Sequence, residues 1–193
     1  MLRSIVQNRM AVWHNHGAMP RRLTPPPPLD AAALERLALR YVERYATTRA
    51  KLAAYLARKL RERGSADAMP DIEGLVERFA NLGYVDDRAF GEMRAAAMAR
   101  RGLGARRVGQ ALYQAGIDGA DAEALAPEIA ERRVDSAIAF ARRKRIGPFS
   151  AVFQEREVRE KHIAAMLRAG HDFAISRAIA GLQPGEDTQF LYE

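Results

Sequence analysis

IEGLVERFANLGYVDDRAF, residues 72–90, is the stretch from which the rest of the chain can be read. Ile72, Leu75, Val76, Phe79 and Leu82 recur at helical spacing and make one apolar stripe. Pro70 and Asp71 open this helix, and the Asp71 carboxylate can accept from the free amides of its first turn. Gly83 closes it at the position where a helix commonly turns left-handed. Tyr84 and Val85 then supply apolar contacts. Asp86 or Asp87 caps a following helix whose first buried residues are expected to be Ala89 and Phe90. The stretch therefore reads as two helices joined by a short turn with an apolar plug inside it.

The same grammar extends in both directions. Upstream, Asp30 caps a helix with Leu34, Leu37, Ala38, Tyr41, Val42 and Tyr45 on one face. Thr47 or Thr48 starts a second, with Leu52, Tyr55, Leu56 and Leu60 inward, ending at Gly64. Downstream, a helix over about 87–101 is expected to turn Phe90, Met93 and Ala97 inward. Gly102-Leu103-Gly104 breaks it, and a short helix from Ala105 to Ala115 stops at Gly116. Asp121 is expected to cap a brief sixth helix. Pro127 lacks an N–H and suits the first turn of a seventh helix, with Ala130, Val134, Ala137, Ile138 and Ala141 inward. Ser150 is expected to open an eighth that carries His162 on an apolar position and closes at Gly170. Asp172 caps a ninth, and Pro184 ends the fold.

Gly64, Gly116 and Gly170 follow one another at intervals of 52 and 54 residues. Four positions before each stands Leu60, Leu112 or Met166, and eight before stands Leu56, Val108 or His162. A period near 50 residues points to units stacked on their neighbours. No alternating apolar–polar run competes with helix. The expected fold is all-α, an elongated, curved array of three tandem three-helix repeats over residues 30–85, 86–126 and 127–183. An N-terminal tail (1–29) with a proline run at Pro25–Pro28 precedes it, and an acidic tail (184–193) follows.

Composition narrows the function. The 193-residue chain has no cysteine, a formal net charge of +7 and a pI near 10.1. Disulfide frameworks and thiolate metal sites are excluded, and a polyanionic or acidic partner is favoured. No apolar run reaches the ~18–20 residues that span a bilayer, and the first twenty residues lack a secretory core. The expected setting is the cytoplasm. His14 and His16 beside Trp13 have no third ligand near them, so neither a metal nor a cofactor is expected. Met10 and Met19 are alternative starts. Phosphate loops, nucleophile elbows and metal-ligand clusters are absent, and no enzyme activity is expected. Asp86 and Asp87 are better explained as caps than as a catalytic pair.

Bases are concentrated in three acid-free runs, one in each repeat. Residues 44–61 carry Arg44, Arg49, Lys51, Arg58, Lys59 and Arg61. Residues 93–117 carry Arg94, Arg100, Arg101, Arg106 and Arg107. Residues 136–154 carry Arg142, Arg143, Lys144 and Arg145. In a stacked array these runs are expected to line up as a basic ridge that meets acidic protein surface or DNA phosphates, with weak sequence preference. The only tyrosines among them are Tyr45, Tyr55 and Tyr113, which is little for base stacking.

Four segments resemble the RecX family, regulators of the RecA recombinase: LALRYVERYATTRAKL (37–52), LGYVDDRAFGE (82–92), RRGLGARRVGQALYQAGI (100–117) and EKHIAAMLRAGHDFAISRAI (160–179). The resemblance covers about residues 30–182, and the middle two segments are its most specific. It implies a helical repeat protein that binds the RecA–DNA filament in its groove and mainly inhibits strand exchange, ATPase and coprotease activities, in recombination, repair and the SOS response. It implies no catalytic residues. The chain is expected to act as a monomer, with no membrane and no small-molecule substrate. Its second helix, LAAYLARKLRERG (52–64), is about one turn longer than the resemblance implies. A sequence-independent nucleic-acid-binding protein without a recombinase partner, and a helical adaptor between two proteins, are the alternatives.

Overall fold

The computed structural model describes residues 27–66 and 70–192. Nine α-helices are present among them: α1 (Ala31–Val42), α2 (Arg49–Arg63), α3 (Ile72–Asn81), α4 (Asp87–Arg100), α5 (Ala105–Tyr113), α6 (Gly119–Glu131), α7 (Arg133–Lys144), α8 (Arg156–Ala169) and α9 (Phe173–Gly181). Short 3-10 turns occupy Gly147–Phe149 and Gln189–Tyr192. Among the described residues no strand forms; Leu29 and Ser65 make a single parallel bridge. The first two prolines of the run, the His14/His16 pair and the alternative starts lie outside the described residues.

Three apolar clusters succeed one another along the chain. Leu34, Ala38, Leu52, Leu56, Val76, Phe79 and Val85 join α1–α3. Phe90, Ala95, Met98, Val108, Leu112, Ile117 and Leu125 join α4–α6. Val134, Ala137, Phe140, Ala141, Met166, Ile175 and Ile179 join α7–α9. Each unit has its own core, and the array continues through α4 against α7.

The joint between α3 and α4 is built as its residues dictate. Asp71 accepts from Gly74 N at 2.8 Å, Gly83 takes φ +76°, and Tyr84 N closes onto Phe79 O at 2.9 Å. Asp86 then caps α4 through Ala89 N at 2.8 Å. Leu82 ends outside the stripe, 63% exposed, because the helix stops at Asn81.

Several expectations are corrected. Ala89 and Met93 face solvent, and α4 buries Phe90, Gly91, Ala95 and Met98 instead. The alanine-rich helix leaves its periodicity weak, and the tight approach of Leu125 to Gly91 fixes the register. Pro127 does not start a helix but lies inside α6, a 13-residue helix that begins at Gly119 after Asp118 rather than at Asp121. The repeat boundary expected at 126/127 thus falls within a helix. An interior proline costs about 3 kcal/mol. Pro127 is exposed, so water can reach the carbonyl it leaves unpaired, while Leu125 and Ile129 hold both sides of it to the core. Consequently α7 begins only at Arg133, and Ala130 faces solvent.

Ser150 donates to Val152 O in an irregular segment, and α8 starts at Arg156. Neither tail boundary holds. Leu29 is fully buried, held by Leu29 N to Gly64 O and Ala66 N to Leu29 O. Beyond Pro184, Leu191 packs on the third core and the Tyr192 hydroxyl donates to Asp135 on α7.

Candidate partner-binding surface

The middle helices of the three units, α2, α5 and α8, meet end to end. An α-helix leaves its first amides and last carbonyls without intrahelical partners, with partial positive charge at the start and negative at the end. The start of α2 faces the end of α5: Thr48 donates to Ala115 O at 2.5 Å while accepting from Lys51 N at 3.2 Å. The start of α5 faces the end of α8: Gly104 N donates to Ala169 O at 3.0 Å and Arg106 N to Gly170 O at 3.2 Å. Gly116 ends α5 at φ +78° against Ala50, and Gly170 ends α8 at φ +98° against Arg107. Two of the three repeating glycines, Gly116 and Gly170, are thus the contact points of a head-to-tail spine. The three middle helices differ in length: α2 has 15 residues, α5 has 9 and α8 has 14.

Side chains finish each joint differently. At the first, Asp87 turns away from its own helix and accepts from Arg49 N at 2.8 Å, capping α2 from the next unit. Burial raises its pKa above the usual 3.8, a shift that the Arg49 amide partly opposes. Lys51 lies over the Phe90 ring at 4.3 Å, and burial, followed by the nearby Arg94, lowers its pKa. At the second joint the caps are cations on the carbonyl end. Arg106 donates to Leu167 O at 2.5 Å and Arg107 Nε to Arg168 O at 2.9 Å. Arg143 donates to Arg101 O at the end of α4 and lies over Phe140. His171 is buried between them, its Nε2 3.2 Å from Gly102 O, and burial lowers its pKa.

The cations of the three runs therefore divide. In the first run, Arg49 pairs with Glu77 at 3.6 Å, and Arg58 and Lys59 share Glu62 at 3.7 and 2.6 Å. These acids come from just beyond the run or from another helix. Tyr41, which the run did not include, stacks on Tyr55 at 4.3 Å, and Arg58 and Lys59 approach the same ring. The second and third runs differ. Among the described residues, Arg100, Arg101, Arg106, Arg107, Arg142, Arg143, Lys144 and Arg145 are exposed and none is in an ion pair. The Arg101–Arg143 contact brings these two runs together, whereas Arg58 and Lys59 lie at the far end of α2.

Sequence reasoning missed Arg168, which lies outside the acid-free runs yet stands beside Arg107. It also missed the cross-unit role of Asp87, for which the doubled Asp86-Asp87 was the available signal. His162 is half-buried; burial lowers its pKa and its Nδ1 has no hydrogen-bond partner. No helix among the described residues is long and apolar enough to cross a membrane.

Known proteins share this architecture. Residues 86–125 match a family described as RecX, second three-helix domain. The chain is 32% identical over 179 residues to the regulatory protein RecX of Myxococcus xanthus strain DK1622, covering 86% of this chain and 90% of that protein. The crystal structure of RecX from Lactobacillus salivarius superposes with a TM-score of 0.60 at 21% identity, over 77% of this chain and 93% of the other. A second crystal structure, of a regulatory protein RecX, gives 0.55 at 21% identity over 82% and 81%.

Proposed function

Because this chain belongs to the RecX family of regulatory proteins, we propose that it regulates a RecA recombinase, mainly as an inhibitor, by lying along the RecA–DNA filament in the cytoplasm. One observation carries the contact surface: among the described residues the cations of the second and third runs have no acidic partner, and Arg101, Arg106, Arg107 and Arg143 stand around the second joint. Unpaired, solvated arginines can pair with carboxylates or phosphates without first breaking an internal ion pair. The cations of the first run are partly neutralised by Glu62 and Glu77 and contribute less.

In this reading the monomeric array bridges neighbouring RecA protomers and hinders the rearrangements that hydrolysis and strand exchange require. DNA phosphates add a sequence-independent contribution. If about five were neutralised, the log–log salt slope would be roughly −4 to −5 on duplex DNA. The test is the single-stranded-DNA-dependent ATPase of RecA from the same organism, with this protein titrated in at fixed salt. Inhibition well below one copy per RecA supports end-capping or cooperative disruption, and inhibition near stoichiometry supports coating of the groove. Binding to bare DNA without any effect on RecA would overturn the reading in favour of a free-standing nucleic-acid-binding protein.

A further inference from the structure

A groove opens beside the second joint, between α4–α5 on one side and α7–α8 on the other, with a volume of about 480 Å³. Its floor is apolar: Met98, Leu103, Ala111 and Ala165 line it, and the two alanines leave room for an inserted side chain. Arg107 and Arg168 stand in its wall, with Gln110 and Gln114 beside them. Arg143 adds a third cation over the neighbouring Phe140 ring, 5.5 Å from its centroid. Among the described residues no carboxylate lines the groove. The Arg168 side chain is exposed and makes neither a hydrogen bond nor an ion pair.

We propose that this groove docks an acidic protein segment that carries an apolar side chain, supplied by the recombinase partner assigned above; the identity of that partner rests on the proposed function. Carboxylates of the segment pair with Arg107 and Arg168, and its apolar side chain fills the space over Ala111 and Ala165. Charge complementarity selects an acidic ligand, and the floor selects a peptide over a nucleic acid. Aliphatic groups offer phosphates nothing. The one aromatic ring here, Phe140, is only 7% exposed, with His171 packed on it at 5.6 Å and Arg143 over it. It cannot serve as a stacking platform of the kind that single-strand binders use.

The experiment uses the full chain and a fluorescent Glu/Leu peptide, with Gln/Leu and Glu/Ser peptides and a dT oligonucleotide as comparisons. Two variants test the site. R168E reverses the wall charge at a side chain with no structural partner, and A165F fills the floor. Circular dichroism and melting show whether each folds as the parent does. The expected result is binding of the Glu/Leu peptide alone, weakened about tenfold or more by R168E, since charge reversal replaces attraction with repulsion. Absence of binding overturns the proposal, as does equal binding to R168E, or preference for dT lost in the same variant. The RecA ATPase separates the two readings. If the parent inhibits RecA and R168E inhibits it equally, the groove is wrong and the RecA assignment stands. If the peptide binds through Arg168 but RecA is unaffected, the groove stands and the partner is a different acidic protein.

Discussion

The two joints of the spine solve one problem with opposite charges. Where α2 meets α5, a carboxylate from the following unit, Asp87, caps the amide end of a helix. Where α5 meets α8, the guanidiniums of Arg106 and Arg107 cap the carbonyl end. Both choices follow from the helix macrodipole, which favours anions at the start and cations at the end. The consequences differ. Asp87 is buried and its charge is confined to the joint. Arg106 and Arg107 hold the second joint from the outside, so the same groups that fasten the units also charge the surface. A run of arginines can therefore be structural and available at once, and its place in the spine decides how much of each.

The two joints are most sensitive at their glycines. At the second joint a Cβ on Gly104 would overlap the Gly170 carbonyl and the His171 nitrogen, all backbone. Gly104→Ala is expected to lose about 3 kcal/mol of stability in urea unfolding, the upper end of overpacking costs. At the first joint a Cβ on Gly116 would overlap only the Ala50 methyl, at φ +78°. Gly116→Ala should lose a similar amount, but Ala50→Gly in the same chain should recover the steric part, leaving about 1–2 kcal/mol of left-handed strain. No single side-chain change should rescue Gly104→Ala.

The caps come next. Asp87→Ala should cost about 1–2 kcal/mol, the usual range for a lost N-cap, whereas Asp87→Asn keeps an acceptor and should cost less at pH 7. The raised pKa of Asp87 means that the folded state holds its proton more tightly than the unfolded one. This contribution to stability is fully present below 3.8 and is lost as pH rises through the folded pKa; unfolding titrations of Asp87→Asn should lack that slope. Replacing Arg106 and Arg107 together by Met should cost about 1 kcal/mol, because both bonds are solvent-exposed and water competes for the carbonyls. The smallest effect belongs to His171. Its lowered pKa gives stability that is complete above 6.5 and falls away as pH drops toward and through the folded value. His171→Gln should flatten that decline, with His162→Gln run in parallel because burial lowers His162 in the same direction.

How much of this was legible in the sequence depended on the kind of signal. The caps and the glycine turn of the 72–90 joint read correctly because they are local and agree with one another, while Leu82 and Ala89, at the ends of its helices, turn out exposed. The glycine period was visible too, since each glycine takes a positive φ at the end of a unit's second helix. Pro127 misled, because its local penalty is outweighed by the tertiary anchoring of Leu125 and Ile129. Met93 misled because an alanine-rich helix has little periodicity to read. The candidate surface was half legible. Acid-free runs locate cations along the chain, but cannot see Glu77 reaching Arg49 from α3, or Arg106 and Arg107 turning onto α8. Those are contacts between units, and they emerge only when the ends of the helices are brought together.

The most direct test of the spine is native-state hydrogen exchange at three backbone amides: Arg49, Gly104 and Arg106. Each stands at the start of a helix, where no intrahelical acceptor exists, and each donates across a joint, to Asp87, Ala169 O and Gly170 O. Their protection therefore reports docking of one unit on the next and nothing else. The head-to-tail array predicts protection at all three comparable to the interiors of α5 and α8. Exchange at the rate of an open helix terminus, with those interiors still protected, would mean that the units fold but do not stack, and would contradict the account.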